Sequence, residues 1–360
     1  MSIPSSVEEI TPAWLGAALD ADISAVEVVD AHSGTTGRAK VRVRGADVPE
    51  TLFVKLQPFD ADQRAFLRMV GLGVAEAKLY AAVGDELPVR VPRVWHSSFD
   101  EADSSFVMVL EDLDASGCRF ATADDHDVLA VAESLVDELA VLHARYWGQD
   151  LDWLGSHAVS SGGGGGGRGG GERTEAQKRA AGGAAIVRSA VDQFAGDLPD
   201  EFRRMGETYV DRYRDIARLW NEGEHTLIHG DDHIGNLFVD GDRTGFYDWA
   251  VASRYPGMRD VAYFLCNSLP TGVRRAEEDA LVARYRAGLA GHGIDLVAEL
   301  AQEQYRLFSV YSWVAAATTA AMGSKWQPAE VGYAATKRTT QALVDLDVLD
   351  LLAERLEPTP

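Results

Sequence analysis

The apolar residues of this 360-residue chain change their spacing near Leu113, and that change constrains the fold more than any other feature. Before it, short alternating runs dominate: Val26 to Ala31, Ala39 to Val43, Leu52 to Leu56, Val94 to His96 and Phe106 to Leu110 read as strands. The first two flank Ser33-Gly34-Thr35-Thr36-Gly37-Arg38 and begin an antiparallel arrangement. Thr11-Pro12 reads as the N-cap and first residue of an opening helix, and a second helix is expected from Ala61 to Val83. Beyond Leu113 the period becomes helical, over Val128 to Tyr146, Ala184 to Trp220 and most of Glu277 to Leu356. The expectation is an α+β chain in two lobes with a cleft between them: a small antiparallel-sheet lobe over 1–112 and a larger, mostly helical one over 113–360.

Residues 160–171 are nearly pure glycine broken by Arg168. Such a run buries too little apolar surface to offset the ordering of its backbone, so a flexible loop is expected within the larger lobe. No apolar strand leads into it, which separates it from a phosphate-binding glycine motif. The formal charge of −22 excludes a phosphate-backbone binder, which needs a clustered basic face. Cys118 and Cys266 are too few for a disulfide framework or a zinc site. The longest apolar stretch, Ser309 to Met322, is shorter than a membrane span, and no apolar run follows a basic N-terminal segment. These features lead to the expectation of a cytoplasmic protein that binds neither nucleic acid nor membrane, with no protein partner evident.

The sharpest chemical signal is Thr226-Leu227-Ile228-His229-Gly230-Asp231-Asp232-His233-Ile234-Gly235-Asn236-Leu237-Phe238, followed by Thr244-Gly245-Phe246-Tyr247-Asp248-Trp249. Short apolar strands flank a polar loop, and a further carboxylate follows the next strand. Phosphoryl transfer needs such a set: one carboxylate to orient and deprotonate an attacking hydroxyl, and an amide with a second carboxylate to hold magnesium on the phosphates. Asp231, Asn236 and Asp248 fill those roles in order. The interval from Asp231 to Asn236 equals that of the protein-kinase catalytic loop. His229 is a second candidate catalytic residue, with bracing of the loop as its competing role. Asp232 and His233 read as solvated or loop-stabilising, and Asp260 as an acceptor that fixes the loop.

This segment resembles the aminoglycoside phosphotransferase and choline kinase superfamily, whose motif is His-Gly-Asp-x-x-x-x-Asn with a later Asp-Trp or Asp-Phe. Gly34-Thr35-Thr36-Gly37-Arg38-Ala39, Glu76-Ala77-Lys78-Leu79-Tyr80, Leu110-Glu111-Asp112-Leu113, Leu142-His143-Ala144 and Arg259-Asp260-Val261-Ala262-Tyr263-Phe264-Leu265 resemble its ecdysteroid kinase-like branch. The resemblance runs from about Thr11 to Leu352. It implies a protein-kinase-like fold and a kinase using ATP and Mg2+ on a hydroxyl of a small molecule.

Lys55 lies among apolar strand residues, where an ammonium is costly without an anionic partner; a nucleotide phosphate supplies one, and Glu76 on the following helix would hold it. Lys40 competes for the phosphate but ranks lower. Gly34, Thr35, Thr36 and Gly37 are candidates to approach phosphate, and a plain hairpin turn accounts for them equally. At Glu111 and Leu113, between the lobes, backbone groups are expected to pair with the nucleotide base, the side chains taking no part. A protein kinase fits poorly, since Gly230 stands for the Arg of His-Arg-Asp and no Ala-Pro-Glu follows. A catalytically dead pseudokinase would lack one of Lys55, Asp231, Asn236 or Asp248, and an antibiotic-modifying kinase stays open. Tyr263, Tyr311, Trp313, Trp326 and Tyr333 read as core residues at helical spacing or as candidates for an aromatic acceptor wall, which would favour a neutral alcohol over a polycation.

Overall fold

The computed structural model describes residues 1–70, 72–154, 175–323 and 329–356; the glycine run at 160–171 and Trp326 lie outside the described residues. In chain order the elements begin with α1 (Pro12–Leu19), β1 (Ile23–Ser33), β2 (Gly37–Gly45), β3 (Thr51–Leu56), α2 (Ala61–Val70), α3 (Leu72–Val83), β4 (Val94–Asp100) and β5 (Ser105–Glu111). They continue with α4 (Val128–Tyr146), α5 (Glu175–Phe194), α6 (Asp200–Trp220), β6 (Thr226–Ile228), β7 (Leu237–Asp240), β8 (Arg243–Phe246) and β9 (Ser253–Tyr255). Helices α7 (Met258–Ser268), α8 (Thr271–Gly291), α9 (Ala298–Ala321), α10 (Ala329–Asp345) and α11 (Val348–Arg355) follow.

The chain divides into two compact units, one of residues 1–121, 150–154 and 236–252, the other of 122–149, 175–235 and the described residues from 253 onward. In the first, five antiparallel strands run in the order β1-β2-β3-β5-β4. Leu52, Val54 and Leu56 of β3 and Val107 and Val109 of β5 are fully buried in one apolar cluster with residues of β2 and α1. Thr11 caps α1 as its sequence implies, accepting the Trp14 N–H on Oγ1 at 3.2 Å, with Pro12 at the first helical position. The same unit holds the β7–β8 hairpin, closed by Gly241 and Asp242 and paired from Asp240↔Arg243 to Leu237↔Phe246.

The second unit is helical apart from the short antiparallel pair β6–β9. The helix expected over Ala184 to Trp220 is two helices, because Pro199 disfavours helical backbone at the residue before it and α6 starts just after it. The helix expected from Ala61 to Val83 is helical on both sides of residue 71, which lies outside the described residues, as α2 and α3. All residues of α7 are buried, so it has no solvent face. The apolar stretch Ser309 to Met322 falls largely in α9, an interior helix. Among the described residues no helix is long and apolar enough to cross a membrane.

Candidate active site

One face of the sheet of the first unit is apolar, and the other carries charged side chains among apolar ones such as Phe53 and Leu110. The β2–β3 register sets Arg38 opposite Lys55 and Lys40 opposite Phe53, so these side chains share the face that Val54 does not use. That face borders a cavity of about 300 Å³ whose lining includes Arg38, Lys40, Lys55, Glu76, Glu111 and Asp248. Lys55 is 4% exposed. Its Nζ donates to Glu76 Oε2 at 2.5 Å and to Asp248 Oδ1 at 2.8 Å. Burial pulls the ammonium pKa down, but Asp248 and then Glu76 outweigh it and hold it above its ordinary value. Burial pushes the Glu76 carboxyl up, and Lys55 offsets part of that rise. Arg38 brings a second cation to 3.6 Å from Asp248 Oδ2. The cavity thus presents fixed cationic donors, and an ammonium has three N–H groups to share among partners.

Lys40 pairs with Asp112 at 2.8 Å and stands 3.9 Å from Asp114, so its charge is already engaged by neighbouring carboxylates. Leu113 lines the same cavity. The Glu111 side chain takes two hydrogen bonds from Arg90 and one from the Arg93 N–H. Gly34, Thr35, Thr36 and Gly37 do not line the cavity; Arg38, next in the chain, does. A Cβ at Gly37 would meet the Gln57 carbonyl oxygen at 2.3 Å, so close packing explains that glycine.

Asn236 and Asp248 flank the β7–β8 hairpin. The Tyr247 N–H donates to the Asn236 carbonyl at 3.1 Å, which extends the ladder by one step and sets Asn236 beside the residue that precedes Asp248. Asn236 is 7% exposed, and Asp248 has φ of 64°, left-handed backbone that is strained for a residue with a side chain, though least so for Asp and Asn. One carboxylate and one amide at the mouth of a hairpin form a hard oxygen set. That donor chemistry fits magnesium, which binds few protein groups and shares its remaining positions with water and phosphate.

In the second unit the loop after β6 is held from below. Asp260 accepts the His229 N–H at 2.7 Å and the Gly230 N–H at 2.9 Å, the fixing role its sequence position suggested. Gly230 has φ of 82°, which turns the chain sharply into Asp231. Asp260 also meets His143 Nε2 at 3.3 Å, and His143 Nδ1 meets the Tyr285 hydroxyl at 2.8 Å, all within the interior. His229 is fully buried and its Nδ1 accepts the Asp231 N–H at 3.3 Å, which is the bracing arrangement. The Asp231 carboxylate is about one-third exposed and accepts the Tyr263 hydroxyl on Oδ1 at 2.7 Å. Burial, then the Asp231 charge, pushes the Tyr263 hydroxyl well above its ordinary range, so it remains a donor. Tyr311 donates to the Gly230 carbonyl at 3.3 Å, and the Arg259 guanidinium lies over its ring at 3.7 Å. Trp313, a candidate for core or acceptor wall, is fully buried and donates to Thr340 Oγ1 at 3.2 Å; it belongs to the core.

Asp232 is not solvated. It is fully buried, and among the described residues neither carboxylate oxygen is hydrogen-bonded. Burial first, then the Asp260 and Asp231 carboxylates, pushes its pKa well above the ordinary value of 3.8. A raised folded-state pKa makes the folded chain bind a proton that the unfolded chain releases, so stability is lost as pH rises from the unfolded value through the folded one. Asp232→Asn removes that loss. We expect its melting temperature to equal that of the parent near pH 4 and to exceed it by a growing margin toward about pH 8; melting curves with a constant difference across pH would contradict the burial account.

Tyr263 and Arg38 are the contacts to Asp231 and Asp248 that the motifs alone did not assign. Both sit inside quoted segments, but nothing in helical or strand spacing says which side chain meets which carboxylate.

A family model described as the phosphotransferase enzyme family, APH, matches residues 28–294. No curated protein matches the chain in sequence. Among solved structures, choline kinase from Cryptosporidium parvum Iowa II aligns over 92% of this chain and 94% of its own, at 12% identity and a TM-score of 0.54. Plasmodium vivax ethanolamine kinase aligns over 92% and 83%, at 11% identity and 0.53. Aminoglycoside 2'-phosphotransferase-IIIa, solved with GDP, aligns over 89% and 93%, at 14% identity and 0.51. At such identities the likeness speaks for the fold alone, an α+β kinase-like fold with an antiparallel sheet followed by a mostly helical part. With the family model spanning residues 28–294, the chain belongs to the APH phosphotransferase enzyme family and is a small-molecule kinase.

Proposed function

We propose that the chain transfers the γ-phosphoryl group of ATP to a hydroxyl of a small molecule, with Asp231 as the base and with Asn236 and Asp248 as the protein's ligands to magnesium. The observation that carries this reading is Lys55, a buried ammonium fixed between Glu76 and Asp248 on the wall of a cavity of about 300 Å³. An ammonium so placed serves a bound phosphate better than it serves stability, because isolated buried charges are costly. Bound magnesium would neutralise charge on the phosphates.

In the transfer, the acceptor oxygen forms a bond to the γ-phosphorus as the bond from that phosphorus to the β-bridging oxygen breaks. The hydroxyl proton passes to Asp231, and ADP leaves. Tyr263 holds Oδ1 of Asp231, which fixes the direction of the carboxylate. His229 and Asp260 keep the loop backbone in place, consistent with bracing rather than proton transfer. Glu111 and Leu113 border the nucleotide base. The choline, ethanolamine and aminoglycoside kinases of similar fold are named for small hydroxylated acceptors. The ecdysteroid kinase-like branch would supply a neutral alcohol instead, and with Trp313 in the core Tyr263, Tyr311 and Tyr333 remain the aromatic candidates among the described residues.

Release of ADP should be followed with choline, a polyamine antibiotic and a sterol-like alcohol as acceptors, at varied magnesium. Asp248→Asn is expected to raise the magnesium needed for half-maximal turnover by roughly tenfold or more, since a charged ligand becomes a neutral one. Absence of acceptor-dependent ADP release across all three classes counts against the acceptor assignment, and an unchanged magnesium titration in Asp248→Asn places the metal elsewhere.

A further inference from the structure

Arg90 lies in the coil before β4, and its guanidinium grips two pieces of the first unit that are far apart in sequence. Nη1 and Nη2 donate to Glu111 Oε2 and Oε1, both at 2.8 Å, a bidentate pair of high geometric specificity. Nε donates to Asp240 Oδ2 at 2.7 Å. The guanidinium carbon stands 5.2 Å from the centre of the Phe238 ring, and the Arg90 carbonyl accepts the Phe246 N–H at 2.8 Å. Arg90 therefore touches both strands of the β7–β8 hairpin and the end of β5.

Those two pieces carry different parts of the site. Glu111 ends β5 and lines the cavity beside Lys55. Asp240 ends β7, and the hairpin it belongs to starts directly after Asn236 and leads through Tyr247 into Asp248. The chain after Glu111 is fastened to the same hairpin: Arg119 and Val239 exchange both backbone hydrogen bonds, at 2.9 and 2.7 Å. Leu113, Cys118 and Phe238 form a small apolar cluster with Tyr247 packed on it. A hairpin with strands of four residues has little stiffness of its own, so what fixes its open end must come from such contacts.

We infer that Arg90 is a positioning residue: by holding Glu111 and Asp240 together it sets the spacing between the base-binding wall of the cavity and the hairpin that bears Asn236 and Asp248. The inference rests on the function proposed above. A metal shared between protein ligands and nucleotide phosphates binds well only if the nucleotide and the ligands are fixed in one frame. Arg90 supplies that frame without touching either.

The test is titration calorimetry of ADP with the full chain, with and without magnesium, on the parent, Asp240→Asn and Arg90→Gln. Asp240 is about half exposed, so its change to asparagine spares folding and leaves the Arg90–Glu111 pair intact. In Asp240→Asn the magnesium-free affinity should stay at the parent value while the gain conferred by magnesium falls by roughly tenfold, the scale at which supporting partners act on metal sites. Arg90→Gln should lose that gain and also weaken magnesium-free binding. A purely structural role would lower the melting temperature and leave the magnesium gain unchanged, and that result in Asp240→Asn overturns the inference. A parent that binds ADP in neither condition overturns the proposed function itself, and the inference with it.

Discussion

Asp231→Ala should lower turnover by about 10²-fold or more while leaving ADP affinity close to that of the parent. The size follows from the role: loss of a general base removes the group that takes the hydroxyl proton in the transition state, and such losses span roughly two to four powers of ten. The selectivity follows from the surroundings. Asp231 is about one-third exposed and its side chain meets Tyr263 and, at 3.9 Å, His233, whereas the cavity proposed for the nucleotide is bordered by Lys55, Glu76, Glu111 and Asp248. The loop backbone is held by Asp260 through the N–H groups of His229 and Gly230, bonds that the alanine variant keeps. Steady-state kinetics with a confirmed acceptor and ADP titration together check the prediction. A variant that keeps its turnover removes Asp231 from the chemistry.

Much of this was legible in the sequence where the signal is local. The run from His229 to Asn236 sits in one loop between apolar strands, so spacing alone singled out Asp231 and Asn236, and a lysine in the apolar strand Leu52 to Leu56 announced Lys55. The partner Glu76 followed from its place on the next helix, and the two do meet at 2.5 Å. What sequence spacing could not give were contacts that depend on how coil segments return. Arg90 reaches Asp240 across 150 residues, and Tyr263 reaches Asp231 across 32. Nor could it show that residues 236–252 join the compact unit of the sheet, since their strands are short and their order in the chain lies among helices. Of the two roles the sequence leaves open for Asp232, solvated or loop-stabilising, its burial excludes the first, and an acidic residue in a polar loop gives no sign of that by itself. Trp313 shows the converse, an aromatic at helical spacing that turned inward to Thr340.

Lys55→Met is expected to weaken both nucleotide binding and the fold, and to make stability fall with pH more steeply than in the parent. Lys55 and Glu76 are 4% and 1% exposed, so the substitution strands a buried carboxylate; removing one partner of such a pair costs about 3–5 kcal/mol. Glu76 escapes part of that cost by taking a proton. Burial already pushes its pKa above the ordinary 4.5, and Lys55 is the main influence holding it down, so loss of the ammonium raises it further. A carboxyl whose folded-state pKa is raised contributes stability that is present below the unfolded value and lost as pH rises through the folded one. The deficit of Lys55→Met against the parent should therefore be small near pH 4 and grow toward about pH 8. Adding Glu76→Gln separates the two effects: the glutamine carries no charge to strand, so the double variant should recover most of the lost stability at about pH 8 while nucleotide affinity stays low. Urea melts at both pH values, with ADP titration of the same samples, measure each part. Recovery of ADP affinity in the double variant would show that Lys55 serves Glu76 rather than phosphate, and a deficit independent of pH would mean that Glu76 keeps its charge by another route.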